Sequence, residues 1–474
     1  MKNILKLYYK SLIFAVLVIG LFSILNPIFV KDTIWENFYN QEKNSVDVLI
    51  LGNSHANLGL DLNIINAKLK AKTVSLATKG QNIYQAYYCA LEAYNYQIPE
   101  ILIIENFLFY ERLTLDKFIN QDASLGDYKK RYLSFDGKKM GKAKIQEANR
   151  YFKTPLIQNI FPVIQKHNDW TKIDEIKQRL YNTTNNQISN TTILNKNKVQ
   201  EYKQTQKFDL MKFNVLPDEE KYLDSIVDLA LKKGTKHIIF LTIPFYNEYR
   251  NKIDYSSLEK PLLAYANKQS KISYLDLNQV FPDLNYTYFS NDNVGYNQHL
   301  NYKGAIKTSQ YVSDYITKNY NFELNNSFKE IPEYYLYNEI KRDSLENGNR
   351  ILGNMERLNG AKQAKYIIKQ GESPLVLQGW MAIENQESKR SEMFIGLKSD
   401  NNNIYVSKLK KSNIKVRKDV SKFFKKENIY DNSGFKININ SLLLEKGNYE
   451  VFMIIRNSEG EVLVRNSKKR IEII

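Results

Sequence analysis

One cysteine in 474 residues leaves no intrachain disulfide to brace the chain. That residue, Cys89, lies in Ala86-Tyr87-Tyr88-Cys89-Ala90, a helical pattern in which it reads as a small core residue. It neither requires nor excludes an oxidising compartment. Histidine is scarce too, with four copies, and no His, Cys or Asp falls at a metal-ligand spacing. A glycine-rich phosphate loop is missing, and no cofactor is expected. No basic helix carries base-reading or aromatic-platform residues, so nucleic acid is not an expected partner.

What is abundant is positive charge. The 68 Lys and Arg outnumber 51 Asp and Glu, for a formal net charge of +17. One reading is codon bias, because Lys, Asn, Ile and Tyr are all frequent. The other is attraction to an anionic surface, such as acidic polysaccharide or phospholipid headgroups.

Residues 11–30 are nearly uninterrupted apolar sequence, about the length that spans a bilayer. Lys2, Lys6 and Lys10 precede them, which by the positive-inside rule keeps the N-terminus cytoplasmic and exports the rest. The run ends in Asn26-Pro27-Ile28-Phe29-Val30 with no Ala-x-Ala pattern, favouring an uncleaved anchor over a signal peptide. Residues 1–31 are therefore expected to be a cytoplasmic tail and a transmembrane helix.

Strand and helix signals then alternate. Residues 46–51, 72–76 and 100–105 read as strands, with helical spacing over 60–69 and 82–94. This rhythm predicts a three-layer α/β/α, flavodoxin-like parallel sheet across 32–327. It is broken by a polar stretch at about 116–212, an insertion that is either a lid or partner surface over the ligand edge, or a tolerated surface excursion. Helix, strand, helix and strand resume at 217–233, 236–243, 258–269 and 272–277, and a last helix is expected at 304–318. Residues 328–474 are expected to hold a linker and a β-sandwich, since seven or eight short alternating segments follow one another there. Within that unit Trp380 is taken as the core anchor.

The chemistry concentrates at two places. The strand at 46–51 ends in Gly52-Asn53-Ser54-His55, which puts a serine hydroxyl on a strand-to-helix turn, where open α/β sheets place their sites. Far downstream, His299-Leu300-Asn301-Tyr302-Lys303-Gly304-Ala305 opens the last helix. A serine with a distant histidine is the layout of an activated nucleophile. His55 is not expected to be the base, and Glu105 reads as a strand-end polar residue facing the cleft. His167 and His237 fit surface and strand roles.

These blocks resemble the SGNH (GDSL-like) hydrolase superfamily over roughly 46–318, with the insertion excluded. The likeness is greatest to its bacterial membrane-anchored branch, which acylates cell-surface polymers in the manner of teichoic-acid D-alanylation and alginate acetylation. The resemblance carries the nucleophile onto Ser54 and the general base onto His299. It also implies an oxyanion hole from the Ser54 amide, the Gly80 amide of Thr78-Lys79-Gly80-Gln81-Asn82, and the Asn106 side chain of Ile104-Glu105-Asn106-Phe107. The family has Asp three residues before the histidine, where this chain has Tyr296. The orienting group is then Asp292 reached by a curling loop, or Asn293 or Asn297, or a Ser–His dyad operates alone.

The function so implied is extracytoplasmic O-acyl transfer, of acetyl, through acyl-Ser54 onto an envelope or secreted polysaccharide. The implied setting is the bacterial cytoplasmic membrane, with a multi-pass membrane O-acyltransferase as acyl donor. The alternatives are an anchored carbohydrate esterase and a non-catalytic glycan-binding or assembly protein with a degenerate site.

Overall fold

Five short apolar segments form one sheet: β1 (Val48–Leu51), β2 (Thr73–Ser75), β3 (Ile101–Glu105), β4 (His237–Thr242) and β5 (Ile272–Asp276). Every pairing is parallel, in the order β2-β1-β3-β4-β5. A parallel sheet has both faces covered, so its central strands must be apolar on both sides. Accordingly β1 and β3 are buried at every position. The chain direction across the sheet reverses between β1 and β3, and in such sheets ligands bind beyond the carboxyl ends of the strands flanking that point. Ser54 follows β1 and Asn106 follows β3.

This computed structural model describes residues 2–30, 34–110, 133–152, 156–165, 192–205, 211–291, 299–321, 349–370, 374–400, 404–409, 411–439, 441, 444–458 and 461–474. Helix α1 (Lys2–Phe29) opens the chain; α2 (Ser54–Gly59), α3 (Leu62–Leu69) and α4 (Ile83–Ala93) follow the first strands. Further on come α5 (Lys142–Tyr151), α6 (Pro217–Lys233), α7 (Ser256–Lys268) and α8 (Tyr302–Asn319). Right-handed crossovers place α4, α6 and α7 on one face of the sheet and α3 with α8 on the other. Contacts agree: Tyr84 meets Tyr222 edge-on at 4.8 Å between α4 and α6, and Lys68 pairs with Asp314 at 2.5 Å between α3 and α8.

The expected transmembrane helix is corrected. No helix among the described residues is long and apolar enough to cross a membrane. Lys10 and Asn26 bound the apolar part of α1, leaving roughly 22 Å of rise at 1.5 Å per residue against a hydrocarbon core of about 30 Å.

The expected insertion does two different things. Its described part at 133–152 packs on the helical layer: Tyr151 meets Tyr88 at 5.6 Å, and Trp35 Nε1 and Gln85 Nε2 donate to Ser134. Lys138 and Glu147 form an ion pair at 2.5 Å with both side chains sealed from solvent. The other end turns toward the histidine loop, where Leu194 N donates to Phe289 O at 2.9 Å and Asn291 N to Thr192 Oγ1 at 3.0 Å.

The C-terminal strands are β6 (Ile351–Leu358), β7 (Lys365–Ile368), β8 (Leu375–Ile383), β9 (Glu392–Ser399), β10 (Ile404–Lys408), β11 (Ile414–Lys415), β12 (Gly434–Ile439), β13 (Gly447–Arg456) and β14 (Val462–Ile473). They form two sheets, β11-β12-β8-β6 and β10-β9-β13-β14-β7, a sandwich-like pair. Nine strands are seen among the described residues where seven or eight were expected. Ile64, Tyr302 and Ile306 join the sandwich core, and Val406 N donates to Tyr302 Oη at 2.9 Å. Trp380 is not the core anchor. It is half-buried on the outer face of β8, packed against Phe424 and Tyr430 in a satellite cluster.

Removing one member of a sealed ion pair strands the other. Lys138→Met should therefore lower unfolding free energy by about 3–5 kcal/mol, and adding Glu147→Leu should regain most of it. Urea midpoints check this; an unchanged midpoint in the single variant would mean the pair is hydrated.

Candidate active site

The turn after β1 is shaped by what lies beneath it. Gly52 has no room for a side chain, since a Cβ there would meet Ala56 Cβ at 2.7 Å and Glu105 Cβ at 2.8 Å. The Glu105 carboxylate, 1% exposed, accepts from Asn53 N at 3.2 Å, from Phe107 N at 2.8 Å, and from Ala56 N. Asn53 caps α2 by accepting from His55 N at 3.0 Å, while its Nδ2 donates to Phe107 O at 3.0 Å. These side chains take up the His55 and Ala56 amides. The Ser54 amide is the first-turn N–H of α2 with no side-chain acceptor among the described residues, so it is available to an oxyanion.

A second clamp holds the histidine. Asn301 is fully buried; its Oδ1 caps α8 by accepting from Gly304 N at 3.1 Å. Its Nδ2 is shared among the carbonyls of Thr287, Phe289 and Thr192, at 2.8, 3.1 and 3.2 Å. Gly304 lets α8 seat against the neighbouring turn, because a Cβ would come within 2.5 Å of Tyr288 O. Helix α8 is in turn bonded to the serine side: Thr308 Oγ1 donates to Gly59 O, and Ser309 Oγ accepts from Asp61 N at 2.7 Å.

Between the clamps, His299 Nε2 lies 2.9 Å from Ser54 Oγ. Both side chains are largely covered, at 8% and 7% exposure. The hydroxyl and the imidazole expected to meet are thus brought together. Asp292, with Asn293 and Asn297, lies outside the described residues. Gly80 sits in the turn after β2 with φ +71°; that turn joins the nucleophile segment through Thr78 N to Gly52 O at 3.3 Å. Asn106 is 1% exposed and donates Nδ2 to Thr242 Oγ1 at 2.8 Å, leaving Oδ1 buried with no partner among the described residues. Both share the sheet end with Ser54, and neither is hydrogen-bonded to it.

Three residues differ from their sequence reading or were missed. His55 was not expected to be the base; its ring stacks on Phe107 at 3.6 Å and lies 4.9 Å from the His299 ring, so it walls the site together with Phe245. Glu105 was expected to face the cleft and instead underlies the nucleophile turn. Its signal was there to read: a carboxylate ending the otherwise apolar buried run Ile101-Leu102-Ile103-Ile104. Asn301 was noticed only as part of a motif, though an Asn three residues before a helical Gly is a cap signature. His237 lies at the opposite sheet end against Tyr320, 4.2 Å between rings, and His167 lies outside the described residues.

No protein-family model matches the chain, and no curated protein matches it. Among solved structures, one of murine CRIg matches over 26% of this chain and 96% of that chain, at 9% identity and a TM-score of 0.13. A likeness that slight carries no argument about fold or function.

Burial pushes the Glu105 carboxyl up to about 8, against the opposing pull of its three backbone N–H donors. An unfolded Glu titrates near ~4.3. The folded state therefore holds a proton that the unfolded chain has released, so stability is full below about 4.3 and declines as pH rises toward about 8. Glu105→Gln should remove this slope. Urea midpoints measured on either side of that window decide it, and parallel pH trends in variant and wild type would contradict the assignment.

Proposed function

We propose that this protein is a serine-dependent acyl-group enzyme that forms an acyl-Ser54 intermediate and passes the acyl group to a hydroxyl acceptor. One observation carries the reading: His299 Nε2 lies 2.9 Å from Ser54 Oγ, on a turn at the carboxyl end of a parallel sheet. Hydrogen-bond reach between nucleophile and base is the geometric requirement for general-base activation.

In the first half-reaction His299 takes the Ser54 proton as Oγ attacks an ester carbonyl. The oxyanion is met by the Ser54 N–H, and when the tetrahedral adduct collapses the ester C–O bond breaks. His299 returns the proton to the departing alcohol. In the second half-reaction the acceptor hydroxyl gives its proton to His299 and attacks acyl-Ser54. The Oγ–acyl bond breaks and Ser54 regains its hydrogen. The rings of His55, Phe107 and Phe245 crowd this spot, with Phe107 and Phe245 each 4% exposed, which favours a small acyl group such as acetyl.

The sequence resemblance to polysaccharide acylating enzymes supports a sugar hydroxyl as acceptor. With no helix among the described residues able to span a bilayer, membrane anchoring gives no ground for preferring transfer to hydrolysis. Water as acceptor, which makes the protein an esterase, is thus decided by assay: acyl-polysaccharide formed from an activated ester supports transfer, and release of free acid alone supports hydrolysis.

A fluorophosphonate probe tests the serine chemistry common to both. Labelling should vanish in Ser54→Ala. It should drop by at least about a hundredfold in His299→Ala, in line with the loss of a triad member. Folded wild-type protein that takes no label would overturn the reading and favour a glycan-binding role.

A further inference from the structure

We propose that the C-terminal sandwich carries a surface for anionic lipid, centred on Phe423 in the short helix α9 (Lys418–Phe423). Phe423 is 79% exposed, the highest value for any large apolar side chain among the described residues, and Val416 just before the helix is 65% exposed. Singly exposed apolar residues are ordinary, and what distinguishes Phe423 is its support and its surroundings. It does not dangle: its ring packs edge-on against Phe424 at 5.0 Å, and Phe424 rests on Trp380 and Tyr430 at 6.0 and 5.6 Å. An aromatic pedestal thus holds an apolar tip out into solvent.

The exposed charge around that tip is predominantly positive, with Glu427 as well as Asp419 exposed beside it. Lys415, Lys418, Lys422, Lys425 and Lys426 are all exposed, and no ion pair engages them among the described residues. Asp419 is already taken by Arg417, at 2.7 Å, and Arg417 also bonds Glu356 at 3.0 Å. An apolar tip that can enter the acyl boundary, ringed by lysines at headgroup level, is the chemistry of interfacial binding. A glycan site instead needs converging hydrogen-bond groups in a concavity, and the tip here projects. A second surface of the same kind favours lipid as well: α1 exposes Leu12, Phe14 and Leu17 beside exposed Lys6 and Lys10. The sandwich surface is a peripheral contact and requires no spanning segment.

The single native cysteine, Cys89, is fully buried, so Phe423→Cys in the full chain can be labelled selectively with an environment-sensitive fluorophore. Lys365→Cys, on edge strand β7 of the other sheet, serves as control. Vesicles of phosphatidylcholine mixed with phosphatidylglycerol should shift the label at 423 and expose it to a quencher buried in the bilayer, while the label at 365 stays in water. Pure phosphatidylcholine should not do this. Adding Lys422→Gln, Lys425→Gln and Lys426→Gln should raise the lipid concentration needed by roughly a hundredfold, from about 1 kcal/mol per lysine. A label at 423 that stays in water with anionic vesicles overturns the proposal, however strongly the rest of the chain binds. So does equal insertion into neutral vesicles or equal insertion at both positions. A shift produced by a soluble polyuronate and by no vesicle overturns it in favour of an acidic-glycan site.

Discussion

Ser54 Oγ and His299 Nε2 stand at hydrogen-bond distance although 245 residues separate them, and that contact depends on two buried polar side chains. Glu105 gathers three backbone N–H groups under the serine turn. Asn301 gathers three carbonyls and one N–H around the histidine loop. Phe289 O has a second donor in Leu194 N; a backbone group left buried without any partner costs about 1–3 kcal/mol. The two loops cannot drift independently, because α8 carries hydrogen bonds from its own body to Gly59 and Asp61 on the serine side. Preorganisation of this kind holds the hydroxyl and the imidazole in the geometry that the proposed nucleophile–base chemistry needs.

The α/β half was legible because its signals are local. Apolar runs of four to six residues, bounded by turn residues, gave the five strands, and burial on both faces left little ambiguity. Helix α6 announced itself through Pro217, three acidic residues in its first turn and Gly234 at its end. Ser54 and His299 were legible for the same reason, each marked by a strand end or a helix start. Glu105 was misread because its partners are backbone amides contributed by the folded turn, and no side-chain pattern encodes those. The wall formed by His55 was not legible because it depends on the ring of Phe107, a long-range stacking contact that no local pattern encodes. The expected spanning helix fails because Asn26 and Pro27 break the apolar run before it reaches the length a bilayer needs. Trp380 was misplaced because residue type was weighed above the alternation of β8, which puts position 380 on the outer face.

The two halves of the molecule share one packing surface. Helix α8 shows its sheet-facing side to the α/β core, while Tyr302 and Ile306 enter the sandwich core along with Ile64 of α3. The helix that begins two residues after Asn301's neighbour Leu300 is therefore seated by both modules. Burial disfavours the charge of Lys303, and the nearby carboxylate of Glu445 partly offsets this. The sandwich is thus a buttress of the histidine loop as well as a surface of its own.

The proposed acyl-Ser54 intermediate can be weighed directly. The protein would be incubated with p-nitrophenyl acetate, quenched in acid, digested and analysed by mass spectrometry. The account requires one acetyl group on the peptide containing Ser54, missing when that residue is alanine. Folded wild-type protein left unmodified, or acetylated only on lysine side chains, would contradict it.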